Sequence, residues 1–536
     1  MSSIIKRLVG LAITIAIGFV LNYLCLPAWN ARNASMWFFL LVVSSIGLLI
    51  QHVIDEIDWE LEHSYGTIIS AIVCGIFASI LLVGGFLSSH LLNSGSYRNM
   101  ITVSNGDFEK DINPITNVNN ISIVDVETAR NIGDRTIGSI QNSAWFNVEK
   151  DFNLVKFQGK KYRISSLKYG DFFKAEKAKE VGIPGYVLVD TTTQEAKFVQ
   201  LENPMKYVPS GNWNYNLKRH LRKQFSDYMF GTSFFEIDEE GNPYYITSVQ
   251  TPTIGLFGGK KEDSFIITNP ISGECVEYLA ADLPEWVDHA YDLDYLMRVT
   301  KYNLSYIHGF LNFSQTDVLR TTFSYRSTSF VGYNTAITSD SEIVFYTGLT
   351  PANNAESNVG FILANPRTGV ITKYTCAGAE ESSAQSSAEG LVQELGYTAT
   401  FPTILNVDGN ETYFMLLKDK AGLVQRYVLC NVKNYTQVVQ SNTLQSALEL
   451  YRVKIGVSAS SDQSETLKVQ GQIKELYTAQ VEGNTYFYFT IVGSNNLYMS
   501  SIKNSNRQVQ LKEGDSVSIE YVPSSEDGVY IVQKIQ

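Results

Sequence analysis

The chain has 536 residues, 44% of them hydrophobic and only 18% charged, with a net charge of −12. That length exceeds one hydrophobic core and requires several folded units. Acidity without a block of Lys and Arg excludes nucleic acid as a partner, because neutralising phosphates takes clustered cations; mild acidity otherwise serves solubility.

The long apolar runs lie before residue 95. Leu8 to Trp29 carries no charge and, at about 1.5 Å per residue, is long enough to cross a hydrocarbon core of roughly 30 Å. Met36 to Ile54 is a second predicted span, with Trp37 placed to sit at the interface. Thr67 to Leu92 is a third and longer one, which must tilt or project from the bilayer. Its small residues Ser70, Ala71, Gly75, Ala78 and Ser79 form a candidate helix-packing stripe; the plainer alternative is a lipid-facing helix that merely contains them. The first segment has the basic start of a signal peptide, Lys6 and Arg7, but two spans follow it. Asn22, Tyr23 and Leu24 ahead of Cys25 also lack the small residue a lipoprotein signal needs. Residues 1–95 are therefore expected to form a retained three-helix transmembrane anchor. Lys6 and Arg7 favour a cytoplasmic N-terminus, and three spans then place the chain after about residue 95 outside the cytoplasm. The loop with Asp55, Glu56, Asp58, Glu60 and Glu62 is acidic where a cytoplasmic loop is usually basic, although acids weigh little in the rule. Ile54, Ile57 and Leu61 would give that loop an interfacial face.

After an α+β lead-in region (96–182), one short pattern recurs: an apolar strand, a turn at Asp or Asn, then a second strand. It is found around Asp190, Asn269, Asn365 and, more weakly, Asn431. A second shared pattern joins Phe235–Ile246 to Leu405–Met415, each a strand, a Gly-Asn turn and a strand. Predicted helices precede them, with Leu217, Leu221, Phe225 and Tyr228 on one face of the first and Ala388, Leu391, Val392 and Leu395 on the second. The expectation is a duplicated α+β domain at 183–282 and 358–455, with a connecting helix and β region at 283–357. In that connection Asp282-Leu-Pro-Glu reads as a helix start, placing Trp286, Ala290, Leu293 and Met297 on one face, and Ser305 to Ser341 reads as β structure. Residues 456–466 are a polar linker. Residues 467–536 read as a small β-barrel of the OB type, from about five strands and a Leu-x-x-Gly-Asp-x-Val turn at Leu511. Its Tyr486, Phe487, Tyr488 and Phe489 are of a kind that stacks bases, but no basic groove accompanies them, so a structural role is preferred.

Chemistry-bearing residues are sparse. Lys218, Arg219, Arg222 and Lys223 surround His220 on one predicted helix and form a candidate anion or lipid-headgroup patch; a solvated helix face is the blander alternative. His289, between Asp288 and Asp292, has the residue types of a metal site, but acids beside a His on an exposed helix usually face solvent. His308 has no such company. There is no G-x-S-x-G, H-E-x-x-H, P-loop or dinucleotide fingerprint, and Gly258-Gly259 lies between strands, as a turn. Cys25 and Cys74 are read as apolar fillers of the spans. Cys275, Cys376 and Cys430 lack metal-ligand spacing and allow at most one internal disulfide. No catalytic residue, cofactor or metal ligand is expected.

From Ser122 to about Leu450 the chain resembles an uncharacterised family of multi-pass membrane proteins from Gram-positive bacteria, sometimes labelled colicin V production family or cell-shape protein. The stretches carrying the resemblance are Val124–Arg130, Gly182–Asp190, Thr253–Gly259, Leu283–Asp288 and Ser387–Gly390. The hairpins at Asn269–Glu274 and Asn365–Gly369 also resemble PepSY modules, whose strands carry a D-x-x-T-G-E turn and which are associated with holding partner proteins or inhibiting proteases. The resemblance implies no catalytic residues. The expected function is a membrane-anchored extracytoplasmic scaffold or protein-interaction protein. Its partners would be membrane lipid and protein, as a homo-oligomer or in a cell-envelope assembly. The alternative is an accessory subunit of an export or transport system, and a hydrolase is least supported.

Overall fold

The computed structural model describes residues 3–57, 65–115, 118, 121–140, 142–326, 329–353, 357–456, 467–481, 484–501, 510–526 and 528–535. Asp58, Glu60, Leu61 and Glu62 of the acidic loop, and the 456–466 linker beyond Gly456, lie outside the described residues.

Three helices, α1 (Ser3–Cys25), α2 (Ala34–Ile57) and α3 (Tyr65–Leu87), are long and apolar enough to cross a membrane. Their outward side chains are bare, with Phe19 71% and Leu82 75% exposed, a surface suited to lipid and not to water. Helix α2 packs against both neighbours. Gly47 lets Thr14 of α1 approach closely, and Cys74 of α3 donates to Ser44 Oγ at 3.3 Å. Helix α1 stops at Cys25 rather than at Trp29, because Leu26 adopts left-handed backbone (φ 50°) ahead of Pro27. Helix α3 stops at Leu87 rather than Leu92. Ser88 Oγ donates back to Gly84 O at 2.7 Å, and the chain turns into α4 (His90–Arg98).

Beyond α4 the chain builds four antiparallel sheets, each a four-stranded meander in chain order. The first runs through Asn153–Phe157, Lys160–Tyr169, Ile183–Asp190 and Ala196–Met205. The second uses Phe230–Ile237, Pro243–Ile254, Gly258–Thr268 and Cys275–Leu279. The third uses Asn334–Ile337, Ile343–Pro351, Ser357–Ala364 and Ile371–Ala379. The fourth uses Thr403–Val407, Asn410–Lys418, Val424–Asn431 and Val438–Ser441. A helix follows each sheet: Leu217–Gln224, Leu293–Ser305, Glu381–Gly390 and Leu444–Ile455.

This grouping differs from the expected duplication. The boundary at 183 runs through the first sheet, where Tyr162 pairs with Asp190. The boundary at 358 runs through the third, where Phe345 pairs with Ala364. The repeating unit is a meander plus its helix, present four times. Local turn chemistry is the same in every unit. Asp190 Oδ1 accepts the N–H groups of Thr192 and Thr193, Asn269 those of Ile271 and Ser272, Asn365 those of Arg367 and Thr368, and Asn431 those of Lys433 and Asn434. All eight bonds span 2.8–3.1 Å, so one short side chain folds each turn between the third and fourth strands.

The sheets close into a ring. The first and second share one core, the second and third another with helix Leu293–Ser305 between them, and the third and fourth a further one. The fourth returns to the first through Lys418, whose ammonium lies 2.6 Å from Asp125 and 3.0 Å from Glu127. Ile123 also donates its N–H to Thr191 O at 2.8 Å there. Short strands extend three of these meanders: Phe146–Val148 joins the first sheet, Thr398–Ala399 the fourth, and the third gains Leu319–Thr321 and Val103–Asn105, the latter pairing parallel with Ile371–Lys373.

Several predicted helices shift. Asp282 does not open one: the helix starts at Leu293, capped by Asp292, and residues 283–291 are irregular, which buries Val287 to Tyr291. Phe225 and Tyr228 lie past the end of their helix, and Leu391 and Leu395 are exposed, leaving Ala388 and Val392 as the buried pair. The expected five strands are Leu467–Val481, Asn484–Ile491, Leu497–Ser501, Ser516–Glu526 and Val529–Ile535, with the Leu511–Asp515 stretch lying ahead of the fourth. Phe489 is fully buried, and Tyr486 and Phe487 are nearly so. They serve as core rather than as a base-stacking surface.

Candidate functional site

The first strands of the four sheets face one another around a central cavity of about 500 Å³. Asn153 and Leu154 come from the first, Phe234 and Phe235 from the second, Asn334 and Thr335 from the third, and Phe401 stands just ahead of the fourth. The wall is aromatic: Phe345 lies 6.1 Å from Tyr333 and 5.9 Å from His289, and Phe234 lies 6.2 Å from His289.

Strand alternation explains the polar group behind this wall. Phe235 and Ile237 face the core shared with the first sheet, so Glu236 points the other way and is fully buried. Its Oε2 accepts the Asp288 N–H at 2.8 Å, and its Oε1 accepts the His289 N–H at 2.5 Å and lies 3.1 Å from His289 Nδ1. Burial pushes Glu236 up to about 8 and His289 down to about 4. Burial disfavours the charged form of both groups, so Glu236 keeps its proton and His289 takes no second one, and the contact is a neutral hydrogen bond rather than an ion pair. Burial, assisted by Glu236, also raises Asp288 to about 7. Asp288 accepts the Lys156 N–H at 2.5 Å, while the Lys156 ammonium reaches Glu342 at 3.2 Å.

Arg163 is the buried cation of the cavity, 4% exposed. It donates to Val124 O (3.1 Å), Phe152 O (3.2 Å) and Thr335 Oγ1 (3.2 Å), linking the first sheet to the third. Burial draws its pKa down against the opposing pull of Asp125, yet a guanidinium stays charged at neutral pH. An apolar, aromatic enclosure with a few fixed polar groups suits binding. Among the described residues no group of His, Cys, Asp and Glu is arranged to hold a metal ion.

The residues singled out from sequence fall elsewhere. Lys218 is exposed. Arg219 lies 4.1 Å over the Tyr23 ring and donates to Tyr23 O at 2.5 Å. Arg222 folds back onto Phe225 O, Ser226 O and Tyr228 O, and Lys223 donates to Asn214 at 2.7 Å. The four cations thus diverge, and only Arg219 reaches the anchor. His220 meets the Tyr207 ring at a tilt, with centroids 4.2 Å apart, and Gly273 O, and His308 lies 3.0 Å from Asp317 at the surface. Asp288 and His289, expected on an exposed helix, are 3% exposed. In α3, Ser70 and Ala78 are half-buried, whereas Ala71, Gly75 and Ser79 are exposed, and nothing lies within 4 Å of a Cβ built on Gly75. All five cysteines are free thiols.

Sequence reasoning missed Glu236, Arg163 and Lys156. Glu236 had a signal, a lone acid between the apolar Phe235 and Ile237; Arg163 and Lys156 had none, since their partners lie far away in the chain.

Ring and anchor meet along a seam. The hairpin tip Gly255-Leu256-Phe257 sits on the end of α3, where the Leu256 and Phe257 N–H groups both donate to Ser88 Oγ, at 3.0 and 2.9 Å. Gly84 is buried under Phe257, and a Cβ there would collide with the ring. Trp29 donates its N–H to Ser226 O, and Arg32 donates to Gly255 O at 3.1 Å. The Gly258-Gly259 pair, expected as a turn, instead opens the strand Gly258–Thr268 that follows this tip. The chain matches no known family model and no curated protein.

Proposed function

We propose that this chain is a membrane-anchored extracytoplasmic scaffold, a protein-interaction module working with copies of itself or within a cell-envelope assembly. The observation that carries the reading is the seam: a ring of four sheets is bonded directly to the membrane-helix ends and holds its cavity at one height above the bilayer. A freely tethered domain would have no such bonds. The opposite end of α1 carries Lys6 and Arg7, which supports a cytoplasmic N-terminus with the ring outside. The ring itself supports a propeller-like arrangement, four-stranded units around a central channel, an architecture used for binding. At the C-terminus the five strands pair in the order first, second, third, fifth, fourth and back to the first, with the third and fifth parallel; this supports an OB-type barrel as a further binding module. The resemblance to partner-holding PepSY modules agrees with the same reading. So does the exposed Ala71–Gly75–Ser79 face of α3, which would admit a second helix. The chain acts by presenting surface, without a catalytic role.

Purification of the intact protein in mild detergent, followed by mass measurement, tests this. A self-assembled particle, or one with a fixed envelope partner, is expected. A monomer with no stoichiometric neighbour across micromolar concentrations would sink the reading.

A further inference from the structure

We propose that the edge of the ring flanking the second sheet is itself embedded in the bilayer interface. Phe172, Phe173 and Trp213 would insert beside α1, and Phe310, Leu311 and Phe313 beside α4. The inference rests on the reading that α1–α3 cross a bilayer. Phe173, Leu311 and Phe313 are 75%, 60% and 87% exposed, and water strongly disfavours such groups in clusters. Both clusters continue the surface of the anchor. Trp213 stacks on Tyr23, with ring centroids 6.4 Å apart and planes at 21°, and Phe172 meets Trp213 edge-on at 6.0 Å. Next to Tyr23, Leu24 is 58% exposed at the end of α1. On the other side Phe310 lies 6.2 Å from Tyr306, and Tyr306 5.7 Å from His90 of α4, whose Leu91 and Leu92 are also exposed. Between the clusters stands the Leu256–Phe257 tip, already seated on the end of α3. A lipid surface that meets the ends of α1 and α3 therefore meets both clusters. Aromatic side chains settle at that depth, and Lys177 and Lys218, exposed beside the first cluster, add attraction to anionic headgroups.

The test uses the full chain, purified and reconstituted in vesicles of phosphatidylglycerol and phosphatidylethanolamine. The photo-crosslinker p-benzoylphenylalanine replaces Phe173 or Phe313. Phe19 within α1 and Tyr435 on the fourth sheet, across the ring, serve as references. Lipid adducts at Phe19, Phe173 and Phe313, with at least a tenfold lower yield at Tyr435, are expected. Lipid capture at Phe19 alone, or capture of a second protein copy at Phe173 and Phe313, would overturn the proposal and leave the anchor reading standing. Equal lipid yield at Tyr435 would also overturn it. Absence of lipid adducts at Phe19 as well would overturn the spanning reading and this inference with it.

Discussion

Five buried acids are lifted by loss of water: Glu236 to about 8, and Asp288, Glu262, Glu381 and Glu449 to about 7. Each keeps its proton in the folded chain where the unfolded chain has lost it. Each therefore contributes stability that is complete below its ordinary pKa and is lost as pH rises through the folded value. His289, drawn down to about 4, runs the other way: its contribution is present above its ordinary value and lost as pH falls toward 4. Acids outnumber it, so the melting temperature should fall as pH rises from about 5 to 7, with Glu236 extending the fall toward 8. Replacing the carboxyl that shares a proton with His289, by Glu236→Gln, should flatten that slope between about pH 6 and 8; thermal melts that keep the wild-type slope would show the assignment to be wrong. At the turns, Asn365→Ala removes the acceptor of two N–H bonds and should cost about 1 kcal/mol, read as a lower denaturation midpoint with no change in its slope.

The third to fourth strand turns were legible in the sequence because their chemistry is local. An Asp or Asn folds the next two or three residues whatever lies around it, and so four copies stood out. Which strands share a sheet was not legible, because Tyr162 and Asp190 meet through a hydrogen-bond ladder that leaves no mark in either residue's neighbourhood. The buried Glu236–His289 pair was hidden for the same reason: an irregular segment, and not the expected helix, brings His289 to the strand. The seam also depends on distant contact. A turn was expected near Gly258-Gly259, and it falls just ahead of them at 255–257, while its seat on α3 left no mark in the sequence. Gly84→Leu should lift Phe257 from that seat without disturbing the span, since leucine is a good helix former and apolar. Limited proteolysis in detergent is expected to cut the 255–257 tip at least several times faster in the variant; an unchanged pattern would mean that the tip is not held there.

For the whole molecule, the proposed topology of three spans puts the N-terminus and the ring on opposite sides of the bilayer, with the ring outside. Protease added to intact protoplasts should then digest material beyond α4 and spare the helices. Complete protection of the sheets would reverse the topology. The closure of the ring through Lys418, Asp125 and Ile123 was invisible beforehand because it joins the lead-in segment to the fourth unit, elements about three hundred positions apart.

The parallel strand Val103–Asn105 also has a consequence in time. Ser104 is hydrogen-bonded to Ile371, 267 positions later, so a chain made from its N-terminus exposes this strand long before its partner exists. At roughly 5–20 residues per second the wait is on the order of 15–50 s. Throughout it, the strand's edge stands unpaired, a template for any extended chain nearby. Whatever shields nascent chains has a long duty here, and a stop codon ahead of Ile371 would make that duty permanent.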